Sequence, residues 1–251
     1  MKQGLYLLIF MIILCQCKSG VDKKKEILSS IYIDDGIIET TQCKFDMYSD
    51  STYEFTVHEF SEYRHEKNEI FRGRYIMKGD TVNFFPFQFY FLSTDKAILK
   101  NNYLEFLDGD YPFKMKVLRT SLSQKIYIDT LRFNDYAFFT YDSSFYKNFT
   151  GNIIPYDLDT NDLIKIDSLL ASCINSNHIT MKLGNYFKQC IAVKDIDNEI
   201  IVWVNMLCKG KSYNNLFYNI DRVNDGGDCF FNLKINLNKL IYYELYINGE
   251  A

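Results

Sequence analysis

Apolar and polar residues alternate along much of the first half of this chain, and this period of two restricts the fold most. Tyr53, Phe55 and Val57 alternate with polar neighbours, and residues 71–77 show the same spacing. Alternation places every second side chain on one face of a strand, so the pattern predicts half-buried β-strands. Turn sequences at 79–80, 101–102 and 108–110 separate these segments and predict an antiparallel meander.

The composition agrees with a β-rich globular chain. The 251 residues include 20 Tyr and 21 Phe but only 3 Pro, which favours strands and a core built from aromatic rings. A hydrophobic content of 47% argues against disorder. The formal charge is 28 − 32 = −4 with no long basic run, so we expect no nucleic-acid partner.

The N-terminus has the profile of a signal peptide. Lys2 precedes an apolar run over residues 4–15, and residues 16–20 turn abruptly polar. Twelve helical residues would reach only about 18 Å, short of a hydrocarbon core of about 30 Å. We therefore predict that residues 1–16 are removed, while an uncleaved anchor remains an alternative.

The end of this run resembles the lipobox of bacterial lipoproteins. Leu14 lies three residues before Cys17, while Cys15 and Gln16 replace the usual small residues, as in the relaxed lipoboxes of Bacteroidetes. The resemblance implies lipidation of Cys17, with residues 17–30 as a tether, and attachment to the outer membrane, facing the periplasm or the cell surface. Lipidation at Cys15 and an ordinary secretory signal remain open.

The rest of the chain divides into two predicted modules. Residues 31–150 form a β-rich meander or small barrel, and the strands predicted at 126–133 and 136–141 either close it or bridge to the second module. We place the boundary near Gly151. The second module, residues 151–251, begins with a helix whose cap candidates are Asp157, Asp159 and Thr160. The apolar positions of this helix are Leu163, Ile166, Leu169, Leu170, Cys173 and Ile174.

Five strands are predicted after the helix, and they define the fold class. A helix lying on a four- or five-stranded antiparallel sheet makes the second module an α+β roll, so the chain is α+β and mainly antiparallel β. The predicted strands cover residues 186–194, 200–207, 217–223, 229–237 and 241–247.

Two segments carry family resemblances. Residues 71–75 with 79–81 are similar to the Gly-x-Tyr hairpin of small lipocalin-like domains in Bacteroidetes lipoproteins, which implies a lipocalin-like first module. Residues 223–237 and 246–251 resemble the C-terminal segment of an uncharacterised, flavobacterial-type lipoprotein family. That family implies a source and a fold but no mechanism.

Five cysteines remain after the N-terminal pair. We expect free buried thiols, with one disulfide among the last four as the alternative, since no CxxC pair or zinc-ligand spacing occurs. The five are Cys43, Cys173, Cys190, Cys208 and Cys229.

No catalytic or metal site emerges from the motifs. His58 opens a run that fails as HExxH because Glu62 replaces the second histidine. Strand alternation would place His58 and Glu62 on one face with Glu66 near them, which makes these three residues only a weak divalent-ion candidate. GxSxG, GxGxxG and P-loop patterns are absent from the sequence. We therefore expect no catalytic residues, no metal and no cofactor.

Aromatic residues provide the only candidate ligand surface. Phe87, Phe89 and Phe91 crowd one segment on both faces, and Trp203 is either a core ring or an exposed platform. The first hypothesis is thus a non-catalytic envelope lipoprotein that binds a protein, peptide or glycan. The alternative is an envelope enzyme, such as a hydrolase, without a local motif.

Replacing Cys17 with Ala tests the lipoprotein hypothesis in the native host. Intact mass and membrane fractionation are expected to show a triacylated wild-type protein in the outer-membrane fraction and loss of both properties in Cys17→Ala. A wild-type protein that is soluble, unlipidated or uncleaved would contradict the hypothesis.

Overall fold

The computed structural model of the chain defines two β-sheets that pack against each other. One is a closed barrel and the other an open sheet covered by a helix. The described residues are 24–35, 39–61, 64–86, 94–110, 112–143, 146, 149–210, 214–221 and 223–249.

Eight antiparallel strands form the barrel in chain order, which confirms the predicted meander. It closes because the first strand pairs with the second and also with the eighth, where Ile31 lies opposite Lys116. The strands are β1 (Glu26–Asp35), β2 (Glu39–Tyr48), β3 (Thr52–Ser61), β4 (Arg64–Lys78), β5 (Thr81–Phe85), β6 (Lys96–Lys100), β7 (Tyr103–Leu107) and β8 (Phe113–Thr120).

Aromatic rings fill the centre of the barrel. The ring of Phe45 on β2 lies 5.2 Å from that of Phe84 on β5 and 6.2 Å from that of Phe106 on β7, centroid to centroid. These contacts cross the barrel, and all three side chains are buried. The alternation in the sequence therefore fills the barrel interior with aromatic rings in mutual contact.

The barrel begins earlier than the sequence suggested. Residues 26–30, assigned to the tether by the sequence, are the first half of β1. Leu28 is fully buried in the barrel core, and the Ser29 hydroxyl donates a hydrogen bond to Asp46 at 2.6 Å. Burial of these two side chains holds the segment in the barrel, so residues 26–30 belong to the barrel and not to the predicted tether.

The second sheet has six strands, and one helix covers one of its faces. Five strands run in the order β10 to β14, and β9 pairs in parallel with β11, with Phe138 opposite Cys190. Strands β11 to β14 pair in the predicted antiparallel manner, whereas β9 precedes Gly151, runs parallel to β11 and bridges to the second sheet. The elements are β9 (Tyr136–Phe139), β10 (Ile154–Pro155), α1 (Thr160–Ser176), β11 (Tyr186–Lys194), β12 (Ile200–Cys208), β13 (Phe230–Asn236) and β14 (Ile241–Ile247).

The helix forms where its periodicity predicted. Leu163, Ile166 and Leu170 are buried against one face of the sheet. The Asp159 carboxylate accepts the backbone N–H of Asp162, and the Asp162 side chain accepts that of Asp159, a capping box that fixes the first turn. No helix within the described residues has the length and apolarity needed to cross a bilayer.

The strand predicted at residues 217–223 is wrong. Phe217 ends a 3₁₀ turn, Asn214–Phe217, and with Ile220 and Val223 it packs on the sheet face opposite α1. The side-chain amide of Gln189 donates to the carbonyls of Leu216 and Asn219, at 2.8 and 2.7 Å, and its oxygen accepts the N–H of Asp221. A buried side chain thus takes the hydrogen-bonding role that a neighbouring strand would have.

The strand predicted at residues 126–133 is also wrong. The Asp129 carboxylate accepts the backbone N–H groups of Leu131 and Arg132, at 3.1 and 3.3 Å, and so favours a turn. Such local bonds compete with a strand ladder. This turn leads directly into β9.

A disulfide joins Cys208 at the end of β12 to Cys229 before β13. Free thiols at all five positions were therefore the wrong expectation, whereas Cys43, Cys173 and Cys190 are free and buried. The link spans 21 residues that include the 3₁₀ turn over the sheet. It therefore limits the freedom of this covering segment in the unfolded chain.

Replacing Cys208 and Cys229 together with Ala is expected to lower the free energy of unfolding by about 3 kcal/mol, because the loop is no longer closed. Urea unfolding of the wild type with and without reductant supplies the control. The reductant is expected to destabilise the wild type and leave the double variant unchanged, and equal midpoints for oxidised and reduced wild type would contradict the link.

Candidate functional site

The predicted ligand surface is not brought together within the described residues. Phe87, Phe89 and Phe91 lie outside them, as does Cys17. Trp203 is 9% exposed, packs in the core opposite α1, and donates its indole N–H to Asn232 at 3.3 Å. A ring held inside a packed core offers no platform to a ligand, so the core interpretation of Trp203 is the correct one.

The predicted divalent-ion candidate is a simple ion pair on the barrel surface. His58 Nε2 lies 3.0 Å from a carboxylate oxygen of Glu66, and both side chains are substantially exposed. Glu62, the third member, lies outside the described residues. Across the described part of the chain, no three His, Cys, Asp or Glu side chains group in a way that could hold a metal ion.

A cavity of about 380 Å³ lies where the outer wall of the barrel meets the second unit, which consists of the six-stranded sheet, α1 and the segments that connect them. Strands β6, β7 and β8 form one side, and the turn before β9, β9 itself and the end of the 3₁₀ turn form the other. Its lining residues are Lys100, Asn101, Asn102, Tyr103, Glu105, Lys114, Lys116, Thr130, Leu131, Phe133, Asn134, Tyr136, Ala137, Phe138, Phe217 and Tyr218.

Strand alternation sets which side chains of β8 reach this cavity. Phe113 and Met115 point into the barrel core, so Lys114 and Lys116 project from the outer wall. The second unit covers that wall, and Lys114 is consequently only 2% exposed. A polar strand face, ordinarily open to solvent, has become the floor of a cavity.

Lys114 is held by a carbonyl and by aromatic rings. Its Nζ donates to the carbonyl of Phe138 at 2.7 Å and lies 4.5 and 4.2 Å from the ring centres of Tyr103 and Phe139. Burial lowers the pKa of Lys114 to about 7, and the nearby Glu105 carboxylate opposes part of this shift. Lys114 therefore changes charge near neutral pH.

The other buried charges of the cavity wall have partners in the second unit. Glu105 accepts the backbone N–H and the hydroxyl of Thr140, at 2.6 and 2.7 Å. Lys100 Nζ lies 2.7 Å from Asp157 and 3.9 Å from Glu105. Asp157, one of the predicted helix-cap candidates, thus holds the two units together instead.

Six aromatic side chains give the cavity its apolar surface. The rings of Tyr136 and Phe138 stack with their centroids 5.8 Å apart, and the Tyr136 hydroxyl donates to Asp167 at 2.6 Å. Tyr218 packs edge-on against Tyr32 of β1, at 5.2 Å. The six rings belong to Tyr103, Phe133, Tyr136, Phe138, Phe217 and Tyr218.

A second cavity, of about 360 Å³, lies beside β12, β13 and β14, and four of its five charged side chains pair with one another, while the fifth, Asp195, accepts the backbone N–H groups of Asp197 and Glu199. Lys239 lies 2.7 Å from Glu199, and Lys234 lies 2.6 Å from Glu244. Such pairs leave little for a ligand to recognise. The cavity at the barrel wall is the stronger candidate site.

The sequence alone does not reveal this site, because the residues that enclose it are far apart in the chain. The spacing of Lys114 and Lys116 places both on one face of β8, which the sequence shows. Nothing in the local pattern shows that this face is covered, because the covering residues come from β9 and the 3₁₀ turn.

The stability of the protein is expected to depend on the charge of Lys114. Unfolding returns Lys114 to its ordinary pKa near 10.4, so between pH 7 and pH 9 the unfolded state binds more protons than the folded state. The free energy of unfolding should therefore rise by about 2 kcal/mol over this range in the wild type, relative to Lys114→Met. Urea unfolding across the range measures this, with Lys78→Met, an exposed lysine on β4, as the control. Parallel pH profiles for wild type and Lys114→Met would contradict the assignment.

No protein-family model, curated protein or solved structure matches the chain. A function for this chain therefore has to come from the geometry of its own residues.

Proposed function

We propose that the protein is a non-catalytic lipoprotein of the bacterial cell envelope that binds a small molecule in the cavity between its barrel and its second sheet. The observation that carries the proposal is the cavity itself. Its volume of about 380 Å³ falls within the range of small-molecule sites, about 300–1,000 Å³, and it joins an aromatic surface to a few fixed polar groups.

The position of the cavity also favours ligand binding. It lies at the junction of two packed units, a place where binding sites are commonly found. Asn101, Asn102 and Asn134 lie at its wall. The side-chain oxygens of Asn101 and Asn102 accept the backbone N–H of Tyr127 and the side-chain amide of Gln124, at 2.9 and 2.8 Å, which fixes the two amides in place. A ligand can therefore bury an apolar body against the rings while its polar groups meet amides and ammonium groups.

The barrel supports a lipocalin-like first module but not a ligand inside it. Lipocalins are eight-stranded up-and-down barrels, which is the strand number and order found here. The rings of Phe45, Phe84 and Phe106 meet across the centre of this barrel. We therefore place the ligand on the outer wall.

Attachment to the envelope rests on the N-terminal sequence and agrees with the disulfide. The apolar run before Cys17 supports export and lipidation, and a structural disulfide such as Cys208–Cys229 persists in an oxidising compartment. From Cys17 to the start of β1 at Glu26 the chain can span at most about 30 Å. The barrel would thus be held close to the outer membrane, where it could meet its ligand.

N-phenyl-1-naphthylamine, an uncharged aromatic dye whose fluorescence rises in apolar sites, tests the proposal. The test uses the mature chain with Cys17→Ala, which keeps every described residue and carries no lipid to bind the dye. Phe138→Ala is expected to weaken dye binding about tenfold, because the ring that lines the cavity and stacks on Tyr136 is lost.

Phe60→Ala is the matched control, because Phe60 is a 57% exposed ring on β3 that does not line the cavity. Its dye affinity should stay within about twofold of the parent chain. A parent chain that does not bind the dye, or equal losses in both variants, would contradict the proposed site.

A further inference from the structure

Resting on the proposed function, we infer that the ligand of this cavity is an organic anion: an aromatic or similarly flat apolar body that carries a carboxylate, sulfonate or phosphate group. Lys114 and Lys116 hold the anionic group, and the aromatic rings hold the body.

The balance of charge at the cavity wall is the first argument. Three lysines and one glutamate line the cavity, and Lys100 is neutralised by Asp157. Glu105 is bound to Thr140 through both of its oxygens. Among the described residues, neither Lys114 nor Lys116 has a carboxylate within ion-pair distance, so two ammonium groups at the wall have no anionic partner.

The geometry of β8 is the second argument. Lys114 and Lys116 are two residues apart on the same face of one strand, so their attachment points are about 7 Å apart. One lies deep in the cavity and the other is exposed at its edge. An anionic group between them would meet one desolvated and one solvated ammonium group.

The remaining hydrogen-bonding capacity of Lys114 is the third argument. An ammonium group has three N–H donors, and the carbonyl of Phe138 accepts one at 2.7 Å. The rings of Tyr103 and Phe139 attract the ammonium group through their faces but carry no negative charge to balance it. A buried ammonium group is costly without an anionic partner, and a ligand anion would supply one.

Binding of an anion should then be coupled to protonation. The charged or titratable groups that line the cavity with Lys114 are Glu105 and Tyr103 on β7, Lys100 on β6, Lys116 on β8, Tyr136 on β9 and Tyr218 after the 3₁₀ turn. Of these, only the Glu105 carboxylate stabilises the charged form of Lys114 near neutral pH, and a bound anion would stabilise that form further. Affinity for an anion should therefore fall as the pH rises above 7, whereas affinity for a neutral ligand should not.

Two matched dyes separate this inference from the proposed function. 8-Anilinonaphthalene-1-sulfonate has the aromatic framework of N-phenyl-1-naphthylamine with one added sulfonate. In the mature Cys17→Ala chain at pH 6.5, we expect the sulfonate to bind at least tenfold more tightly than the neutral dye. Raising the pH to 8.5 should weaken binding of the sulfonate alone, and Lys114→Met should remove this pH dependence.

Lys116→Gln provides a test that does not disturb the core, because Lys116 is exposed and has no ion pair to lose among the described residues. It should lower the affinity for the sulfonate about fivefold and leave the neutral dye within twofold. Lys78→Gln, on the exposed face of β4, controls for the general charge of the surface and should change neither affinity.

The possible results separate the binding site from the anionic nature of its ligand. Failure of both dyes to bind would overturn the proposed function and the inference together. Equal affinity for both dyes, insensitive to Lys116→Gln, would keep the binding site and overturn the anionic ligand. Equal losses of sulfonate binding in Lys116→Gln and Lys78→Gln would also overturn it, because the attraction would then come from the surface as a whole.

Discussion

Burial of charged side chains on the outer wall of the barrel determines how the two units of this protein fit together. Lys100, Glu105 and Lys114 project from three neighbouring strands and are covered by the second unit. Each finds its partner there: Asp157, Thr140 or the carbonyl of Phe138. Charges of this kind are costly to bury without partners, so these contacts select one arrangement of the units. The cavity is the space that this arrangement leaves open.

The irregular segment around the 3₁₀ turn connects the core of the second sheet to the barrel and to the cavity. Gln189 inside the sheet fixes its backbone through two carbonyls. Asn215 donates to Asp34 of β1, and the ring of Tyr218 packs on Tyr32 while it lines the cavity. A ligand in the cavity would thus contact residues supported by both units, and the Cys208–Cys229 disulfide closes the loop that contains this segment.

Local patterns predicted the regular elements well, because strand alternation, turn residues and helix periodicity act over a few neighbouring positions. The two false strands arose where Asp129 and Gln189 bond to the backbone in place of a neighbouring strand. The pairing of β1 with β8, which closes the barrel, joins residues far apart in the chain and has no local signature. The local sequence around Lys114 and Lys116 is that of a strand face open to solvent. The residues that cover this face come from another part of the chain, so the local pattern does not show them.

A crystal structure with a brominated naphthalenesulfonate tests most directly whether a small organic anion binds between the barrel wall and β9. Anomalous scattering from bromine locates the probe independently of the protein phases. We expect one bromine peak among the rings of Phe138 and Tyr218, with the sulfonate between Lys114 and Lys116. A peak inside the barrel, or only on the outer surface away from this cavity, would contradict it.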